Sequence, residues 1–402
     1  MLCVGVLHNA RGYADFWRLV VVEPLGSFPV LSLTDEAIRK RLYTLGTKGL
    51  SHLYERICEH LPFVPISQST LKIACFAREV VALDESTLDA VGRHQAELRQ
   101  YGSKNAHLLA GKIAGLWDVR RQRWLRLQYR ADVLAGCSID VEPLLHDLPK
   151  GSMILEDLGY FGFVWLDRLQ QLGYWYISRL RENGSYRIRH IFYENKQQGL
   201  LDALVWLGAY ERDQAGVAVR LIEYRCRNQI YRYVTNVIDP QQLCIADVVE
   251  LYGRRWDIEC VFSLLKEHLG LHIWWSSQNE LILVQLWVTR ILAHVVQHLR
   301  FQVAEAAGVE LFDVSLEILI DLLKRITAQE SSLVHQLVEK GRQWKLIRPH
   351  SRIQRSCPSP LPHDIVPLPA DVPLQRPAHY SHRNPHPRKA LYTPRSTTQL
   401  LI

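Results

Sequence analysis

A chain of 402 residues has room for two or three domains with a full core. Its 48% apolar content is ordinary for a globular protein, and its eight scattered cysteines contain no C-x-x-C pair, which excludes a zinc ribbon or dithiol motif and suggests a reducing, cytosolic setting. The net charge of +7 is uneven: residues 341–402 carry ten Lys/Arg against Asp364 and Asp371, so the rest is near neutral.

The N-terminus lacks a basic segment followed by a clean apolar run, so no signal peptide is expected. Residues 33–62 read as two helices broken near Gly46 and Gly49, with Thr34 as N-cap and Ile38 and Leu42 on one face. Such a pair suits a DNA-binding helical module or a plain packing unit. Val80 to Leu83 form a buried strand ending in Asp84. "KIAGLWDVRRQRWLRLQYRADV" reads as two antiparallel strands turning near Arg120–Gln122, followed by a short helix around Val141–His146. "SMILEDLGYFG" is another apolar strand ending in acids, "FVWLDRLQQLG" a helix ending at Gly173, and "YWYISRL" a further strand.

Strands alternating with helices predict an α/β fold with a mixed sheet flanked by helices. Residues 184–240 break the alternation with four successive strand patterns, a β-rich insertion. Ile245–Leu269 then reads as one long helix, with leucine-rich helices following to about Thr327. "LILVQLWVTRILAHVVQHL" is interrupted by Gln285, Arg290, His294 and Gln297, so a buried amphipathic helix suits it better than a membrane span. The predicted organisation is an N-terminal helical region (1–78, a candidate DNA-binding region), two core parts (79–183 and 245–340) around an insertion (184–244), and a tail (341–402). The tail holds eleven of the eighteen prolines, which disfavours regular structure, and its charge could hold polyanions loosely.

Asp84 and Asp157 end apolar strands, and Glu259 sits on the long helix. Three carboxylates from distant segments suit hard divalent cations, and two such ions about 4 Å apart can activate a hydroxyl and stabilise a leaving oxygen. Acids at strand ends also serve as turn formers or caps, and Glu156 competes with Asp157 for the role. The helix carries Tyr252, Arg255, Glu259 and Lys266 at the spacing Y-x2-R-x3-E-x6-K. At about 100° per residue all four fall within an arc of roughly 60°, beside an apolar stripe of Leu251, Ile258, Phe262, Leu265 and Leu269. An ordinary i,i+4 ion pair would explain Arg255 and Glu259 but neither Tyr252 nor Lys266. Lys266, some 10 Å beyond Glu259, suits a phosphate further along a bound strand.

This spacing, within "LYGRRWDIECVFSLLKEHLGL", resembles the signature of the insertion-sequence-four family of DDE transposases. "VVALDESTLD", "ILEDLGYFGFVWLDRLQQLGYWYISRLR" and "YVTNVIDP" resemble three further blocks of that family, and the likeness covers residues 79–300. The resemblance implies a ribonuclease-H-like core with a β-rich insertion ahead of the glutamate helix. It implies Asp84, Asp157 and Glu259 as the catalytic, metal-binding triad for two Mg²⁺ ions, with Mn²⁺ as a substitute. It implies Tyr252, Arg255 and Lys266 as DNA contacts at transposon ends, double-stranded terminal repeats and target DNA as partners, and a homodimeric synaptic complex at the bacterial nucleoid. Trp256 reads as packing, and Glu85 departs from the small residue the family often has there. The alternatives are a ribonuclease-H-like nuclease without strand transfer, or a non-catalytic or degenerate DNA-binding descendant.

Overall fold

The computed structural model describes residues 2–21, 30, 32–61, 74–88, 111–133, 141–208, 214–226, 229–276, 278–325, 332–350, 357–377 and 399–401. Ten strands form one sheet: β1 (Val80–Thr87), β2 (Lys112–Asp118), β3 (Arg123–Arg130), β4 (Met153–Glu156), β5 (Trp175–Arg179), β6 (Tyr186–Asn195), β7 (Leu200–Leu207), β8 (Val219–Cys226), β9 (Gln229–Thr235) and β10 (Gln399–Leu401). Their order is β10-β3-β2-β1-β4-β5-β9-β8-β7-β6. At its centre β1, β4 and β5 run parallel, and the neighbours on both sides pair antiparallel. The expected mixed α/β architecture is therefore present. The four strands of the 184–240 stretch extend this same sheet: β9 pairs with β5 and carries the insertion's hydrogen bonding into the core.

The central strands are apolar on both faces because both are covered. Along β1, Val80 and Ala82 join one core cluster while Val81 and Leu83 join the other. Along β4, Met153 and Leu155 face the first and Ile154 the second. The first layer holds nearly all the helices. α1 (Leu2–Leu7), α2 (Tyr13–Val21), α3 (Asp35–Leu45) and α4 (Lys48–His60) lie on this side with the later helices. Thr34 caps α3 as expected, its Oγ1 accepting from Ala37 N at 3.1 Å, and Gly46 stops it at φ 56°. These N-terminal helices dock on the body of the protein: Trp275 Nε1 donates to Ala10 O (3.0 Å), and Tyr54 meets Trp287 and His294 edge-on. The second layer holds α5 (Glu142–Leu145) and α6 (Phe163–Gln171).

The predicted helix from Ile245 to Leu269 is three pieces: α7 (Ile245–Arg254), α8 (Trp256–Ser263) and a π-helical turn, Leu264–His268. The break falls at Arg255, whose N–H bonds three residues back to Tyr252 O at 3.1 Å, just past the weak helix former Gly253. α9 (Asn279–Ala307) is the central helix of the first layer, followed by α10 (Leu316–Leu323) and α11 (Leu333–Gly341). Among the described residues α9 alone is long and apolar enough to cross a membrane, and 89% of its most apolar stretch is buried. Its Gln285 side chain is absorbed by Trp275 N and Ile273 O.

The tail departs from expectation. Residues 357–377 lie along the sheet extension rather than free of it. Val366 N donates to Phe192 O (2.8 Å), Ala218 N to Leu374 O (2.7 Å) and Arg376 N to Gly216 O (2.9 Å). Ile365, Leu368 and Val372 cover Phe192, Leu204 and Trp206. Prolines limit helix here to the 3-10 turn Pro362–Asp364 but leave extended backbone free to pair, so apolar residues between them can still bury. The remaining tail residues, 351–356, 378–398 and 402, and Cys137 lie outside the described residues.

Candidate active site

Strand parity decides which acids meet the helix layer. Side chains alternate along a strand, so Asp84 follows Val80 and Ala82 onto the helix face, and Asp157 follows Met153 and Leu155. Glu85 and Glu156 point the other way. Glu156 is fully buried, its Oε2 accepting from Trp165 Nε1 at 2.7 Å, and burial pushes its carboxyl up to about 7. Glu85 pairs with Lys112 (2.9 Å) and Arg130 (3.6 Å). The sequence leaves Glu156 and Asp157 open as rivals and Glu85 as a crowding risk; parity removes both glutamates from the site.

Asp84, Asp157 and Glu259 converge on one guanidinium. Arg255 Nη1 lies 3.3 Å from Asp84 Oδ2, and its Nη2 lies 3.5 Å from Asp157 Oδ1 and 2.7 Å from Glu259 Oε1. The Arg255 side chain is 6% exposed, against 15% for Asp84, 40% for Asp157 and 34% for Glu259. The acids thus form the open wall and the arginine the floor. Burial raises the Asp84 carboxyl to about 6, against the opposing pull of the Glu85 N–H and of Arg255. Asp157 also caps the 3-10 turn Leu158–Tyr160, so the capping role open to it from sequence coexists with its place at the site.

The helix break matters here. Arg255 sits between α7 and α8, where its side chain can pass under Glu259 and reach two strand ends. Of the three expected DNA contacts, the fold encloses two. Tyr252 is 5% exposed, packed on Tyr233 at 4.6 Å between ring centres, and Arg255 is taken up by the acids. Lys266 remains half-buried on the π-turn, its Nζ donating to Ser86 Oγ at 2.8 Å, two residues along β1 from Asp84. Trp256, expected to pack, is 54% exposed, with the Arg255 guanidinium 5.6 Å from its ring centre. Its position on the helix turns it away from the core stripe.

Sequence reasoning missed the central place of Arg255. An Arg four residues before a Glu reads as a local pair, and nothing in that spacing announces two more acids from distant strands. Among the described residues, no three His, Cys, Asp or Glu side chains stand close enough to share an ion as placed. The donor chemistry nevertheless fits a hard divalent cation: three carboxylates face one centre whose positive charge is now supplied by Arg255.

An acid cluster at the ends of parallel strands, closed by a broken helix across the sheet, defines a mixed α/β protein with a half-open carboxylate site. The family described as the transposase DDE domain matches residues 76–296, and this chain belongs to it. The transposase of insertion sequence element IS231E of Bacillus thuringiensis is 22% identical over 303 residues, 62% of each chain. A transposase assigned to element IS4SA of a Synechocystis species is 25% identical over 202 residues, 48% of this chain and 56% of that one. The match thus spans about three fifths of the length of these relatives. The resemblance to insertion-sequence-four transposases is borne out by both. The piggyBac transposase, solved as a synaptic complex with hairpin DNA, aligns over 84% of this chain and 73% of its own, at a TM-score of 0.41 and 11% identity.

Proposed function

We propose that this protein is a transposase that cleaves phosphodiester bonds at transposon ends and joins the freed 3′-hydroxyl to target DNA, on a ribonuclease-H-like core. The observation that carries the reading is the meeting of Asp84, Asp157 and Glu259, from segments more than seventy residues apart in sequence, at one half-open centre. These three would hold the divalent ions, Mg²⁺ or Mn²⁺, which supply charge to activate the attacking hydroxyl and offset the leaving oxygen. Arg255 positions the acids from beneath, and the Tyr252 ring, 5.7 Å from the Arg255 guanidinium carbon, backs that charge. Lys266 neutralises a phosphate of the strand that lies across the site, its ammonium fixed by Ser86. Double-stranded terminal repeats and target DNA are the partners, and a homodimer pairs two ends. The relatives' names support the assignment to DNA transposition.

Labelled end DNA incubated with Mg²⁺ tests this. The wild type should yield cut ends and then ends joined to a target plasmid. Glu259→Gln should abolish both while leaving end binding largely intact. Near-normal cleavage by Glu259→Gln would remove it from the chemistry. Cut ends that never join would favour the nuclease without strand transfer.

A further inference from the structure

Behind the Glu259 helix lies a separate cavity of about 420 Å³, open to solvent, between α8, α9 and the segment after α9. Asp257 and Val261 of α8 line it, each about 200° round the helix from Glu259, so the cavity and the acid site lie on opposite flanks. One of its lining side chains, Gln297, lacks the partners that burial demands, and another, Arg300, is a cation with no acid beside it among the described residues.

Arg300 is 7% exposed, and no carboxylate lies within ion-pair distance of it among the described residues. Its Nε donates to Val314 O at 2.7 Å and its guanidinium lies 5.3 Å from the centre of the Phe312 ring. Those contacts engage Nε and the face of the guanidinium and leave its terminal nitrogens to the solvent of the cavity. Burial pulls its pKa down to about 10, the direction expected of a cation with no acid beside it. One turn earlier on α9, Gln297 is 5% exposed, and both its amide nitrogen and its amide oxygen are buried without a hydrogen bond. An unpaired buried amide costs stability until a partner reaches it.

The acids in the cavity are already committed. Asp257 Oδ2 accepts from Gln122 Nε2 (2.7 Å) and Arg254 Nε (3.0 Å), and Asp313 Oδ1 accepts from His350 N (3.0 Å). Arg348 adds a further cation at the exposed side. The two lining arginines balance the two lining acids, and Arg254, paired with Asp257 from outside the cavity, leaves one positive charge over, beside the unpaired amide of Gln297.

We infer that this cavity is a phosphate-binding site, in which Arg300 and the Gln297 amide hold a phosphate oxyanion. A guanidinium fork with a neighbouring amide donor matches the several acceptor oxygens of that group. The phosphate comes either from a nucleic-acid strand wrapped round the flank of the helix or from the free anion. The inference does not rest on the cleavage reading, because neither Asp84, Asp157 nor Glu259 lines the cavity.

Calorimetric titration of the full chain with inorganic phosphate, in metal-free chloride buffer, tests it. The wild type should give saturable binding that both Arg300→Met and Gln297→Leu weaken about tenfold or more. Arg300→Met also loses the bond to Val314 O, so Gln297→Leu guards against simple misfolding. It removes an unpaired amide and should melt no lower than wild type without phosphate. Duplex DNA that competes with phosphate in the wild type assigns the site to a strand; DNA without effect assigns it to the free anion. No saturable binding by the wild type, or equal binding by wild type and Gln297→Leu, overturns the proposal.

Discussion

Replacing Arg255 with methionine keeps most of the stem and deletes the charge on which the three acids close. Breaking a buried ion pair costs about 3–5 kcal/mol, because it leaves uncompensated charge. That range applies to the Asp84 contact, since Arg255 and Asp84 are both largely buried. Asp157 and Glu259 are 40% and 34% exposed, so water screens them and each pair adds no more than about 1 kcal/mol. Protonation relieves part of the cost, because Asp84 already titrates near 6 and its pKa climbs further once the arginine is gone. The net expectation is a loss of about 3 kcal/mol in urea unfolding in EDTA at neutral pH. Mg²⁺ should then reverse the ranking of effects. With no guanidinium at the centre, the acids are free to bind the ion, and a ligand at about 100 times its dissociation constant returns about 2.7 kcal/mol. Mg²⁺ should therefore stabilise Arg255→Met more than wild type. If the variant loses nothing in EDTA, the convergence of acids on Arg255 carries no energy. If Mg²⁺ leaves the variant's stability unmoved, the three carboxylates are not a cation site.

Three further outcomes are expected. Lys266→Ala should weaken DNA binding and flatten its salt dependence by about 0.9 in the log–log slope, read by fluorescence anisotropy across a salt series; an unchanged slope would end its phosphate role. Asp202→Ala should cost about 3–5 kcal/mol, because Arg220, fully buried and 2.6 Å from Asp202, would keep its charge with little beyond Leu243 O to hold it. The double change Asp202→Leu with Arg220→Met should recover most of that, and a single variant as stable as wild type in urea would refute the account. His294 is buried, and burial pulls its pKa from 6.5 down to about 4. The unfolded chain then holds the extra proton through that window, so stability falls as pH drops from about 6.5 to about 4, by on the order of 3 kcal/mol. Urea midpoints for His294→Gln should show a shallower acid limb than wild type, and parallel curves would exclude His294 as a cause.

The sequence by itself determined most of the elements and offered the acids that the fold brings together around Arg255. Continuous apolar runs marked β1 and β4 as buried strands, and four successive strand patterns marked the insertion. Spacing on the helix put Arg255 and Glu259 on one side, as the structure has them. These are local properties: backbone period and burial pattern repeat every two or 3.6 residues and can be read without knowing what lies opposite.

Only the tertiary structure decided how those pieces meet. It joined the insertion to the core as one ten-stranded sheet, broke the long helix at Arg255, and laid residues 357–377 along β6 and β8's neighbours. It chose Asp157 over Glu156 by the face β4 turns to the helices, and it enclosed Tyr252 and Arg255, which helix phase alone presented as a surface. It also left Arg300 and Gln297 facing a cavity, which no reading of a leucine-rich helix would single out. The reason is common to all of these. Which face is covered, and which charge meets which, depends on residues dozens of positions apart, and that separation leaves no period in the chain.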